Sequence, residues 1–294
     1  MILRVAKRIF LPIAFAFLAY FAWDSRELLV DVVRSANPLT LVAAVFVWML
    51  MHALSPLFSM LIFRARNVPL SYKTAARIHI VNLPARYIPG GIWHTVGRIA
   101  GFRDMDIGQR DISIFVFLEN LLAVCVAFMI GGSLLAANRG LDGWGQIAAL
   151  SAVGGAVFLL ASPFILSLRV IQGDDRFPTR DLVTVTIVAA ISWCIAATAF
   201  VIYLSAFPGL ALQAAPLETA GAYLFSWGVG FISIFAPQGI GVFEVVAAEL
   251  MRGDSAFMSV AALLAGFRLI ILAADATVWV ALHSISGLHS QDLL

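Results

Sequence analysis

Five apolar stretches dominate this sequence, at 37–63, 112–137, 144–168, 182–207 and 256–282, and each is long enough to cross a bilayer. A spanning helix needs about 20 predominantly apolar residues, because backbone N–H and C=O groups in hydrocarbon must be satisfied within the protein. A shorter stretch at 5–23, entered through Arg4, Lys7 and Arg8, is expected to form a sixth span. Its basic start and apolar middle also suit a secretory signal. Tyr20, Phe21 and Trp23, however, stand where a peptidase site needs small residues, and Trp23 suits the membrane interface. With 62% hydrophobic and 12% charged residues over 294 positions, the chain carries more apolar surface than one soluble core could hide. The expected fold class is an all-α polytopic membrane protein, built as one integral membrane domain over 1–294. Cys125 and Cys194 both fall inside predicted spans, which argues against a disulfide framework and for two small buried thiols.

The basic residues set the expected orientation. With a cytoplasmic N-terminus, thirteen of the 19 Lys and Arg residues lie inside, among them Arg64, Arg66, Lys73, Arg77, Arg98, Arg103 and Arg110. Only Arg26, Arg34, Arg139 and Arg252 then lie outside, while Arg86 and Arg268 fall in a motif or a span. Such asymmetry points to an N-terminus in the cytoplasm and a place in the cytoplasmic (inner) membrane.

That orientation has a consequence for the stretch at 82–104, NLPARYIPGGIWHTVGRIAGFRD. Basic residues flank it on both sides, so both of its ends are expected on the cytoplasmic face and the segment, about 78–103, is expected to be re-entrant. Pro84, Pro89, Gly90 and Gly91 permit the reversal, since proline removes a helical donor and glycine accepts turn geometry. A second stretch at about 217–251 has the same grammar: an apolar arm, then Pro237, Gln238, Gly239, Ile240 and Gly241, then a second helical arm from Val242. Its flanks carry little basic charge, which suggests entrance from the outer side. The alternative for 217–236 is an ordinary span followed by a loop. Two broken segments of opposite orientation are the mark of an inverted-repeat transporter with a site near the midplane. The expectation is thus about six full spans plus two broken re-entrant segments, although the halves show no residue-by-residue repetition.

The motifs RYIPGGIWHTVGR and PQGIGVFE resemble those of the lysylphosphatidylglycerol synthase transmembrane-domain family, a flippase-like module found fused to an aminoacyl-lipid synthase or alone. Arg86, Tyr87, Pro89, Gly90 and Trp93 fill the first family motif. Pro237, Gly239, Gly241 and Glu244 fill the second, with Gln238 in place of its first glycine. A third family feature, Glu-Arg-x-x-Asp, is only partly matched: Glu119 is present, but Asn120 and Ala123 replace its Arg and Asp. The resemblance implies a lipid-translocating module without the synthase domain, with the two motifs binding the substrate.

Residue chemistry points the same way. The helix starts near Ile92 and Val242 offer free backbone N–H groups and a positive dipole end to an anion, and Arg86 adds a planar bidentate donor suited to phosphate or carboxylate. Tyr87 and Trp93 are placed to line a headgroup path; the bland reading is a snorkelling Arg86 within an aromatic interface belt. Glu119, Arg268 and Asp275 lie inside predicted spans, where each needs a partner or water. Arg268 and Asp275 share a helix face but stand roughly 10 Å apart along the axis, so each is expected to find another partner. Glu244 serves as a helix cap or as a proton-coupling group. His79 and His94 flank the first break and are read as structural rather than titrating groups.

No enzyme is expected. Gly-x-x-x-x-Gly-Lys-Ser/Thr, His-Glu-x-x-His and Cys-x-x-Cys are all missing from the sequence, and Gly131-Gly132-Ser133 lacks the frame of a nucleophile elbow. Neither a metal nor another cofactor is expected. The expected partners are a membrane lipid as substrate and lipid-synthesising enzymes, with no nucleic acid; the oligomeric state is left open. The alternatives are a non-transporting scaffold or regulator of a lipid or cell-envelope pathway, and an intramembrane lipid-modifying enzyme.

Overall fold

A computed structural model describes residues 30, 34–88, 92–141, 143–167, 177–208, 215–233, 236, 239–251 and 257–291, with the side chains of 167, 258–259 and 285–291 outside that description. The described residues are all-helical and contain five helices long and apolar enough to cross a membrane: Pro38–Ala65, Gln109–Arg139, Trp144–Leu166, Thr179–Ser205 and Val260–Ser284. The chain is therefore a polytopic helical membrane protein, and these five correspond to the five long apolar stretches of the sequence. The sixth expected span, 5–23, lies outside the described residues.

In chain order the elements are α1 (Pro38–Met49), α2 (Met51–Ala65), α3 (Tyr72–Val81), a 3-10 turn (Leu83–Tyr87), α4 (Trp93–Arg103), α5 (Gln109–Arg139), α6 (Trp144–Ser167), α7 (Thr179–Ser205), α8 (Pro216–Ile232), α9 (Val242–Met251) and α10 (Phe257–Gln291). The surface of α6 reverses the pattern of a soluble helix. Leu150, Val153, Val157, Leu160 and Phe164 recur at three- and four-residue spacing and are all exposed, as a lipid-facing stripe requires. Cys125 is buried as expected, but Cys194 is exposed on α7, so only one of the two thiols belongs to the interior.

The helices divide into two compact units. The first comprises Met1–Ala44, Val124–Phe158 and Ala196–Ile270; the second comprises Val45–Ala123, Leu159–Ile195 and Ile271–Leu294.

The second unit contains the first broken segment. Ser71 starts α3 as an N-cap, its hydroxyl accepting the Thr74 N–H at 3.1 Å. Asn82 closes the helix, donating from its amide to the Ile78 carbonyl at 2.8 Å, and Pro84 opens the 3-10 turn that follows. The returning arm α4 packs back through Gly97, where a Cβ would stand 1.9 Å from Asn82 Oδ1, so a larger residue would have to displace the Asn82 side chain that bonds Ile78. The arms α3 and α4 have 10 and 11 residues. Each is about 15–17 Å long, roughly half of a bilayer core of about 30 Å. Phe63, Phe102 and Phe115, all fully buried, pack ring on ring beneath this hairpin, with centroids 4.8–5.4 Å apart.

The first unit contains the second broken segment. With 17 residues α8 reaches about 25 Å, and it packs against the 10-residue α9 rather than leading into an isolated loop. The reversal depends on Gly239 and Gly241, whose φ angles of +67° and +85° lie in the region that side chains resist. Around it Phe200, Tyr223, Phe243 and Phe267 form an aromatic core, with Phe200 stacked on Tyr223 at 4.5 Å. The bases of α5 and α8 meet closely at Gly131, where a Cβ would lie 2.6 Å from Leu224 Cβ. Gly131-Gly132 is thus a helix-packing surface, as membrane bundles use small residues.

Candidate functional site

Every interior charge singled out in the sequence has an ionic partner in the structure. In the second unit Asp275, from α10, is 2% exposed and receives three groups. Arg86 Nη1 donates to Oδ2 at 3.0 Å, the Tyr87 hydroxyl donates to the same oxygen at 3.0 Å, and His52 Nε2 lies 3.0 Å from Oδ1. Arg86 and Tyr87, the last two residues of the 3-10 turn Leu83–Tyr87, both reach this one carboxylate. Burial of Asp275 would be costly without these partners. The Arg86 side chain itself remains 32% exposed, and Tyr87 and Trp93 are each 45% exposed. The bound cation and its aromatic neighbours therefore keep an open side.

His52 continues the network inward. Its Nδ1 lies 3.2 Å from His79 Nε2, and the His79 ring meets that of His94 edge-on with centroids 5.5 Å apart. Both His52 and His79 are buried.

Glu119 pairs with Arg98, also within the second unit. Arg98 Nη1 donates to Oε1 at 2.9 Å and Nη2 to Oε2, a bidentate arrangement, and the guanidinium lies over the Phe115 ring at 5.0 Å. The Arg98 side chain is 4% exposed, so this residue is no surface charge.

The first unit holds the second motif. Glu244 is fully buried at the start of α9, and its Oε2 accepts the Gly241 N–H at 2.7 Å, the back-reaching half of a capping box. Its Oε1 accepts from Arg268 Nε and Nη2, both at 2.9 Å. Glu244 is thus at once a cap and an ion-pair partner. Of the two helix starts expected to receive an anion, the one at Val242 already carries its own carboxylate. The one at Trp93 follows Ile92, which provides no side-chain cap. Nearby, Arg139 donates to Glu218 at 2.6 Å and to the Leu250 carbonyl, tying α5 to both arms of the break.

The structure thus brings Arg86, Tyr87 and Asp275 together in the second unit, and Gly239, Gly241, Glu244 and Arg268 in the first; Glu119 stands in a separate pair, and Trp93 opens α4. Pro89, Gly90, Gly91, Pro237 and Gln238 lie outside the described residues. Sequence reasoning missed His52 and Arg98. The one signal for His52 is an imidazole in the middle of an otherwise apolar run; Arg98 was legible only as a topogenic positive charge. Comparison of the sequence with protein-family models and with curated proteins found no match.

Proposed function

We propose that this membrane protein moves an amphiphile with an anionic or zwitterionic headgroup between leaflets: a phospholipid, an aminoacyl-lipid or a polyprenyl-phosphate-linked lipid. The observation that carries the reading is Arg86. It is a guanidinium on a proline-broken turn of a polytopic membrane protein, tethered by one buried carboxylate yet 32% exposed. Arg86 meets Asp275 through Nη1, and a planar guanidinium fork suits a phosphate; exposed Tyr87 and Trp93 beside it offer amphipathic surface to a headgroup. Resemblance of RYIPGGIW and PQGIGVFE to the motifs of a flippase-like family supports the same function. The Lys and Arg distribution supports a cytoplasmic N-terminus in the cell membrane. In this reading the headgroup crosses along polar protein surface while the tails stay in lipid, driven by an ion gradient or by the lipid gradient alone.

Reconstitution in liposomes with a headgroup-labelled lipid tests the proposal: wild type should exchange label between leaflets, and Arg86→Ala should not. A second reading has one observation in its favour. Glu119, Glu244, Arg268 and Asp275 are each ion-paired within the protein, as a non-transporting scaffold for lipid-synthesising enzymes would also require. Equal exchange by wild type and Arg86→Ala would favour it.

A further inference from the structure

We propose that His94, His79, His52 and Asp275 form a proton relay, and that the proton is the ion coupled to headgroup binding at Arg86. The inference rests on the transport reading and names its coupling ion. Three of the protein's 5 histidines stand in one contact chain that ends on a carboxylate. His52 has polar neighbours on both ring nitrogens, His79 Nε2 at 3.2 Å and Asp275 Oδ1 at 3.0 Å. Asp275, His52 and His79 are buried at 2%, 6% and 3% exposed, and His94 at the other end is half-buried. Three buried imidazole nitrogens along the chain, His52 Nε2, His79 Nδ1 and His94 Nε2, have no hydrogen-bond partner, so His52 meets Asp275 by proximity, at 3.0 Å, and not through a formed hydrogen bond.

The transfer balances without an oxidant or reductant. A proton reaching His79 Nδ1 from the His94 side makes an imidazolium, which passes its Nε2 proton to His52 Nδ1. His52 in turn passes its Nε2 proton to Asp275 Oδ1. Both imidazoles end neutral with their tautomers exchanged, and Asp275 ends as a neutral acid. The charged and titratable groups facing the array are Arg86 and Tyr87 from the 3-10 turn, and Arg98 of α4 with its partner Glu119 of α5. Burial and the two nearby guanidinium groups both disfavour a standing imidazolium, so the proton comes to rest on the carboxylate. Headgroup binding supplies the drive. When a phosphate takes Arg86, Asp275 is left buried without its cation, and a buried carboxylate in that position neutralises itself by protonation. One anionic charge and one proton then enter together, and by reciprocity acid pH favours release of Arg86 to the headgroup.

Two measurements on the full-length protein test the relay: proton uptake followed with a pH dye when short-chain phosphatidylglycerol is added to protein in phosphatidylcholine nanodiscs, and leaflet exchange of labelled phosphatidylglycerol in mixed vesicles. Wild type should do both. Asp275→Asn should abolish the uptake, and His79→Gln and His52→Gln should each slow it by about 100-fold, the scale of a lost proton-transfer group. The two glutamine variants guard against a folding defect in any one of them. Uptake at the wild-type rate in all three variants, or exchange by wild type without uptake, overturns the relay and leaves the transport reading standing. Uptake without exchange upholds the relay and removes the transport reading; neither activity in wild type overturns both.

Discussion

Arg268 and Asp275 stand seven residues apart on α10, and each closes an ion pair with a different broken segment: Arg268 with Glu244 at the start of α9, Asp275 with Arg86 on the 3-10 turn. The two pairs belong to different compact units. One long helix therefore supplies the counter-charge for both motifs, and its two charged residues are explained by what they hold rather than by each other.

Removing one partner of a buried pair strands the other. Glu119→Leu lowers the cost of inserting α5 but leaves Arg98, 4% exposed at its side chain, without an anion. Unfolding in detergent micelles should show a loss of about 3 kcal/mol, at the low end for a buried pair because Glu119 is 30% exposed. Adding Arg98→Leu should recover most of it, and a strictly additive double mutant would show that the pair is not coupled.

Glu244 separates its two tasks by substitution. Gln at this position keeps an oxygen for the Gly241 N–H but loses the charge that Arg268 needs, while Ala loses both. Glu244→Gln should lower stability by about 2–3 kcal/mol and Glu244→Ala by more. Equal thermal shifts for the two variants would leave no role for the cap.

The fold was largely legible and the site only partly, for one physical reason. Spans announce themselves locally, by about 20 apolar residues in a row, and the breaks announce themselves by proline and glycine. The 112–137 stretch thus became Gln109–Arg139 and the 182–207 stretch Thr179–Ser205. Ion pairs are not local: Arg86 and Asp275 are 189 residues apart, and Arg98 and Glu119 sit on different helices. Arg98 also reads as one more cytoplasmic charge until the hairpin buries it. Cys194 misled in the opposite sense, since a thiol in a span can face outward as readily as inward.

The hairpin of α3 and α4 makes a steric prediction. Gly97→Val would drive its side chain into Asn82, and Gly101→Val would press on Ile78, whose Cγ2 would stand 3.0 Å from the new Cβ. Gly97→Val should be the more harmful, with reduced yield of folded protein by size-exclusion chromatography. The reverse order would contradict the packing described.

Topology is open to a direct check with single cysteines. Ser71 and Asp106, both exposed and on either side of the first broken segment, should both be shielded from an impermeant reagent added outside cells, in a background lacking Cys125 and Cys194. Labelling of one and not the other would mean that the segment crosses the membrane.

The most direct test of the central claim is leaflet exchange of a headgroup-labelled anionic lipid by wild type, Arg86→Lys and Arg86→Ala in liposomes. Lysine keeps the charge but loses the fork that grips a carboxylate or phosphate. Exchange should therefore fall about tenfold, roughly 1.4 kcal/mol, with lysine, and to background with alanine, with Asp275 still folded into the protein in each case. Equal exchange rates for wild type, Arg86→Lys and Arg86→Ala, over every anionic lipid that copurifies with the protein, would contradict it.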